Sequence, residues 1–200
     1  MASADGRCWV TYNGEIYNYR ELRRELEALG AAFRTASDTE VLLEAYRHWG
    51  TGMLTRLTGM FAFAILDLEA RRVLLARDRF GIKPLYYSLD GASLRFASSV
   101  QALLAAGGVD TSIDPIALHH YFTLHAVVPA PRTILNGVKK LPPATTMTVS
   151  ATGQVTQRTY WSLDATRPAH NLSEQDWLNA TRAVLTRAVE RHRLASDVPV

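Results

Sequence analysis

Asn13-Gly14-Glu15, together with Asp38 further along the chain, are the residues best suited to chemistry on a small polar molecule. A strand that ends in Asn-Gly presents a side-chain amide donor beside an unhindered main-chain N–H. Two donors so placed can hold an oxygen on which negative charge develops. Glu15 adds a carboxylate that can take an ammonium group, and Asp38, inside Ser37-Asp38-Thr39-Glu40, supplies a second. Each also has a plainer meaning. Asn-Gly is a common turn dipeptide, and an acidic residue in the first turn of a helix compensates the helix dipole. Taken singly, the plainer meaning is the stronger one for both.

The remaining reactive residues suggest less. The one cysteine, Cys8, lies in a strand-like run leading into Asn13-Gly14, where a buried, inert thiol is expected. His119, His120 and His125 fall on or beside one helical segment. Adjacent histidines there point different ways, and no acidic residue stands at ligand spacing, which argues against a metal site. Arg77, Asp78 and Lys83 form a charged cluster for which a structural ion-pair network is as good a reading as a catalytic one.

Elements must place these groups. Cys8–Tyr12 reads as a strand, and Asn18 can cap a helix to about Leu29 with Leu22, Leu26 and Leu29 on one face. Ser37 and Glu40 have capping-box spacing, opening a helix that Gly50 stops. Gly59–Leu68 with Arg72–Ala76, and Leu85–Leu89 with Ser93–Ala97, read as two hairpins. The strands of the first are apolar on successive residues, which predicts cover on both faces. Short helices are expected over Val100–Ala106 and, from cap Asp114, over Pro115–Leu124. Thr146–Val149 and Val155–Tyr160 make a further strand pair. The polar stretch 164–172 reads as a linker, and Ser173 opens a long helix to about Leu194. Strands and hairpins with helices packed outside them predict an α+β or layered α/β domain.

The bulk numbers fit. The chain of 200 residues is 48% hydrophobic and 20% charged, the balance of an ordinary globular domain rather than a disordered one. A net charge of +3, with basic residues dispersed, excludes a nucleic-acid-binding function as the expectation. One cysteine excludes an internal disulfide and fits a reducing cytoplasm. No apolar run is long enough to span a bilayer, and the opening residues lack a signal-peptide pattern, so no membrane partner is expected.

Three ordered motifs then change the weights. Asn13-Gly14-Glu15-Ile16-Tyr17-Asn18, Ser37-Asp38-Thr39-Glu40, and Arg77-Asp78-Arg79-Phe80-Gly81-Ile82-Lys83-Pro84-Leu85-Tyr86 resemble the glutamine-hydrolysing domain of the asparagine synthetase family, a class II glutamine amidotransferase. Met60–Ala64, Phe96-Ala97-Ser98 and Leu141-Pro142-Pro143 match as well, although Ser99 stands where a Glu is usual and Ala144 where a Gly is. The resemblance runs from about Ala4 to Val200. It implies an N-terminal-nucleophile hydrolase, a four-layer α/β/β/α sandwich, in which Asn13 and the Gly14 N–H form the oxyanion hole. Glu15 and Asp38 would hold the α-amino group of glutamine. Ammonia would pass to a synthetase domain that uses ATP and Mg to amidate aspartate. The full-length family often forms homodimers.

The same resemblance marks departures. The family's opening Met-Cys-Gly, with its nucleophilic cysteine, and its upstream glutamine-binding arginine have no counterpart here, and Ser3 is no substitute. Residues 196–200 match the segment just before the family's pyrophosphate loop, so no ATP site is expected in these residues. The expectation is an amidotransferase domain over 1–163, incomplete at its N-terminus, a linker over 164–172, and the start of a synthetase domain over 173–200. It would be a fragment without glutaminase activity of its own, with unpaired sheet edges. Two alternatives remain: a non-catalytic glutamine-binding module, and an amidotransferase for another carboxylate acceptor, such as one linked to exopolysaccharide assembly.

Overall fold

The computed structural model describes residues 1–91, 93–166 and 172–195, so the centre of the expected linker and the segment 196–200 lie outside the described residues. The chain divides into two compact units, one of residues 1–14 and 60–161, the other of residues 15–59 and 162–200.

The first unit is built on two sheets. Five strands, β1 (Cys8–Ile16), β2 (Gly59–Asp67), β3 (Arg72–Arg77), β7 (Thr145–Ser150) and β8 (Val155–Thr159), lie side by side in that order. Three more form the second sheet in the order β5 (Ser93–Ala97), β4 (Tyr86–Asp90), β6 (Lys139–Lys140). The β2–β3, β3–β7, β7–β8, β4–β5 and β4–β6 pairings are antiparallel. Both expected hairpins are present, and β2 is buried at five consecutive positions, Phe61 to Ile65, as its unbroken apolar run requires. One face of β2, β3 and β7 contributes Ala62, Ala64, Leu75, Met147 and Val149 to a core shared with Tyr87 of the second sheet and with Leu85 and Leu141, which adjoin its strands in the chain. These are the two facing β layers that the resemblance implied. Helix α3 (Val100–Ala105) follows β5, and α4 (Pro115–Thr123) begins at Asp114, whose carboxylate accepts from the amides of Ile116 and Ala117.

The second unit holds α1 (Tyr19–Ala28), α2 (Asp38–Trp49), a 3-10 turn at Gly50–Thr55 and α5 (Glu174–Ala195). Leu22 and Leu26 are buried, but Leu29 is 56% exposed because α1 has already ended, so the expected apolar face is one residue shorter. Asn18 precedes α1 but does not cap it with its side chain. Its amide donates to the Arg56 carbonyl and its oxygen accepts from Thr58, tying α1 to the chain that leads into β2. Among the described residues no helix is long and apolar enough to cross a membrane.

Candidate active site

Strand β1 decides what the Asn-Gly pair is. The sequence suggested a strand over Cys8–Tyr12 with Asn13-Gly14 at its end, yet the strand continues through both to Ile16. The cause is a close approach of two main chains. A Cβ added at Gly14 would lie 2.2 Å from the Met60 carbonyl oxygen and 2.7 Å from the Phe61 Cα. Only glycine lets β1 come this near to β2, and the turn meaning of Asn-Gly is thereby set aside.

Alternation along β1 then sorts the reactive groups. Cys8, Val10 and Ile16 face inward, and Trp9, Thr11, Asn13 and Glu15 face outward. Asn13 and Glu15 therefore share the open face. In the first unit Asn13 lines a cleft of about 310 Å³ together with Thr11 and Tyr12, the Ala62–Ala64 segment of β2, Pro84-Leu85, and Phe96-Ala97-Ser98. Thr11 and Ser98 are polar wall groups that sequence reasoning did not single out, although Phe96-Ala97-Ser98 had marked the segment.

In the second unit Asp38 is the first residue of α2. Its Oδ2 accepts the Ile16 amide at 3.1 Å, which fixes the carboxylate beside the residue that follows Glu15. A Cβ at Gly59 would sit 2.1 Å from the Glu15 carbonyl oxygen, so a second glycine allows close approach here. Ser37 caps α2 by accepting from the Thr39 amide at 3.0 Å. The other half of the expected capping box is replaced. Glu40, 5% exposed, turns away from Ser37 and accepts from the Arg34 amide at 3.0 Å, the Thr35 amide at 2.7 Å and the Thr35 hydroxyl at 2.6 Å. Burial pushes the Glu40 carboxyl up, but the Thr35 hydroxyl, those two amides and the Arg34 charge outweigh it and hold it below its ordinary value. Glu40 thus shapes the loop that delivers Asp38.

Neither internal nucleophile is presented. Cys8 is 7% exposed on the face of β1 opposite Asn13. The Ser3 hydroxyl accepts from the Cys8 amide at 3.0 Å and donates to the Asp5 carboxylate at 2.6 Å. The Arg77-Asp78 cluster is a main-chain clamp more than an ion-pair network. Arg77 donates to the carbonyls of Lys83, Leu141 and Gly81, and the half-buried Tyr160, its ionisation pushed up chiefly by desolvation, donates its hydroxyl to the Arg77 carbonyl at 2.8 Å. Among the described residues no three His, Cys, Asp or Glu side chains gather as a metal site.

The family described as glutamine amidotransferase domain matches residues 1–161. Asparagine synthetase (glutamine-hydrolyzing) 1 of Bacillus subtilis is 41% identical over 200 residues, all of this chain and 31% of its own length. A second B. subtilis protein, asparagine synthetase (glutamine-hydrolyzing) 3, is 38% identical over 96% of this chain and 30% of its own. This chain therefore spans about a third of the length of the curated relatives it matches. Among solved structures, the glutamine phosphoribosylpyrophosphate amidotransferase of B. subtilis, complexed with ADP and GMP, aligns with a TM-score of 0.54 at 20% identity. That alignment covers 80% of this chain and 31% of that one, a likeness of fold.

Proposed function

The chain belongs to the glutamine amidotransferase domain family, and from that premise we propose that it is the glutamine-recognising part of an asparagine synthetase-like enzyme. Asn13 and the Gly14 N–H take the side-chain carbonyl oxygen of L-glutamine, where charge develops when that carbonyl is attacked. Glu15 and Asp38 take the α-ammonium group. The observation that supports this reading most is the bond from the Ile16 amide to Asp38, which fixes one of two carboxylates next to the other in the chain, directly after the Asn-Gly pair.

Family enzymes attack this carbonyl with a cysteine thiolate. Cys8 faces the buried side of β1, and Ser3 is engaged with Asp5 and the Cys8 amide. The 200 residues are thus expected to bind glutamine without releasing ammonia, and Cys8→Ala is expected to change nothing. For the whole protein we propose that glutamine nitrogen is used to amidate aspartate in an ATP- and Mg-dependent step, in the cytoplasm and as a homodimer. The similarity to asparagine synthetases supports the acceptor. We also propose the domain division at 163 and 173. In its support, the family match ends at Trp161, and α5 leaves Trp177, Leu178, Val184, Leu185 and Val189 exposed, as a helix does when its apolar face is meant for another domain.

Equilibrium binding of L-glutamine to the chain and to Glu15→Gln and Asp38→Asn tests the reading. Each substitution removes one negative charge from the ammonium site and is expected to weaken binding about tenfold or more, as loss of a charged hydrogen bond does. Undiminished binding by both variants would remove the assignment.

A further inference from the structure

Asp78 has no part in glutamine recognition as set out above, yet its carboxylate accepts four main-chain hydrogen bonds. It is 1% exposed. Oδ1 accepts from the amides of Phe80 at 3.1 Å and Ile82 at 2.9 Å, and Oδ2 from those of Lys83 at 2.9 Å and Phe61 at 3.2 Å. Three of these bonds close the loop of residues 79–83 upon itself. The fourth leaves the loop for β2. The Asp78 amide also donates to the Phe61 carbonyl at 2.8 Å, so Asp78 and Phe61 are joined in both directions. Phe61 and Met60 are in turn the surface on which Gly14 rests without a side chain between, as the 2.2 Å and 2.7 Å approaches of an added Cβ require. A shift of β2 at this point cannot be absorbed by a flexible side chain. It passes to the main chain of Gly14, because close-packed groups transmit displacement.

We propose that Asp78 is a positioning residue for the oxyanion-binding pair Asn13 and Gly14, acting through the main chain of Phe61. The proposal rests on the glutamine reading above. It needs a carboxylate in particular. Each oxygen faces two N–H donors, so an asparagine here, in either orientation, turns an NH2 group on two of them and loses two bonds.

The test compares L-glutamine with L-norvaline, which keeps the α-amino acid groups and lacks the side-chain carbonyl. Asp78→Asn is expected to weaken L-glutamine about tenfold, the worth of one ordinary hydrogen bond, and to leave L-norvaline unchanged. It should also displace the Gly14 amide resonance in the ligand-free protein. Arg77→Gln, which loosens the same loop through its carbonyls without touching the Phe61 link, is expected to spare glutamine binding. Unchanged glutamine affinity in Asp78→Asn, or equal loss of both ligands, overturns the proposal. If Asp78→Asn does not fold, hydrogen exchange in the unaltered chain decides. Glutamine should slow exchange of the Phe61 amide and norvaline should not, and equal behaviour of the two ligands overturns the proposal. Failure of the unaltered chain to bind L-glutamine is a separate result that strikes the underlying reading.

Discussion

At Gly14 the constraint is spatial, since a methyl group would meet main-chain atoms that no rotamer change can move aside. Gly14→Ala is therefore expected to cost about 1–3 kcal/mol or more, the range for overpacking a tight site, read as a lower midpoint in urea unfolding. Asn13, Gly14 and Glu15 were legible as a candidate set only through the family resemblance, since residue types alone favoured a turn. Their strand conformation was not, because Asn-Gly prefers turns locally and the approach of β2, which prevails, is non-local. Glu40 shows the same limit. Its spacing from Ser37 predicted a reciprocal cap, but its carboxylate serves the amides of Arg34 and Thr35 upstream. A carboxyl held below its ordinary value in the folded state adds stability that is present above the unfolded-state value of 4.5 and is lost as pH falls through the folded value. Acid unfolding of the chain below about pH 4.5 should accordingly be shallower in Glu40→Gln, which carries no such linkage. Superimposable pH profiles would count against that role for Glu40.

At the scale of elements, the caps that lie next to their own helices were readable and those replaced by distant partners were not. Ser37 and Asp114 cap α2 and α4 as their positions suggested. Asn18, in an equally good position, spends its side chain on Arg56 and Thr58, partners that only the fold brings near. Ser37→Ala should cost about 1 kcal/mol, the usual worth of an N-cap, and because Asp38 is the next residue it should also weaken glutamine. Thermal unfolding and binding on the same sample check both. A stability loss with unaltered affinity would mean that the Ile16 bond alone holds Asp38 in place. The hairpins were legible because two apolar runs around a polar break allow few other arrangements. The two-residue strand β6 was not, since Lys139-Lys140 carries no strand signal and pairs only because β4 presents an edge.

For the molecule as a whole, the pairing of β3 with β7 across a long stretch of chain joins the first hairpin to the last, and the second hairpin goes to the other sheet. Composition and periodicity do not encode that choice, which is why only the resemblance anticipated two facing sheets. Leu75, fully buried between them, is the residue through which this arrangement can be weighed. Leu75→Ala is expected to destabilise the chain by about 2–5 kcal/mol, the cost of a core cavity, measured by denaturant unfolding. The account as a whole stands on recognition of one amino acid by Asn13, Gly14, Glu15 and Asp38. The most direct measurement is calorimetric titration of the unaltered chain with L-glutamine and, separately, with D-glutamine. Saturable binding of the L form at one site, with little or none of the D form, is the predicted result. No binding of L-glutamine, or equal binding of both enantiomers, would contradict it.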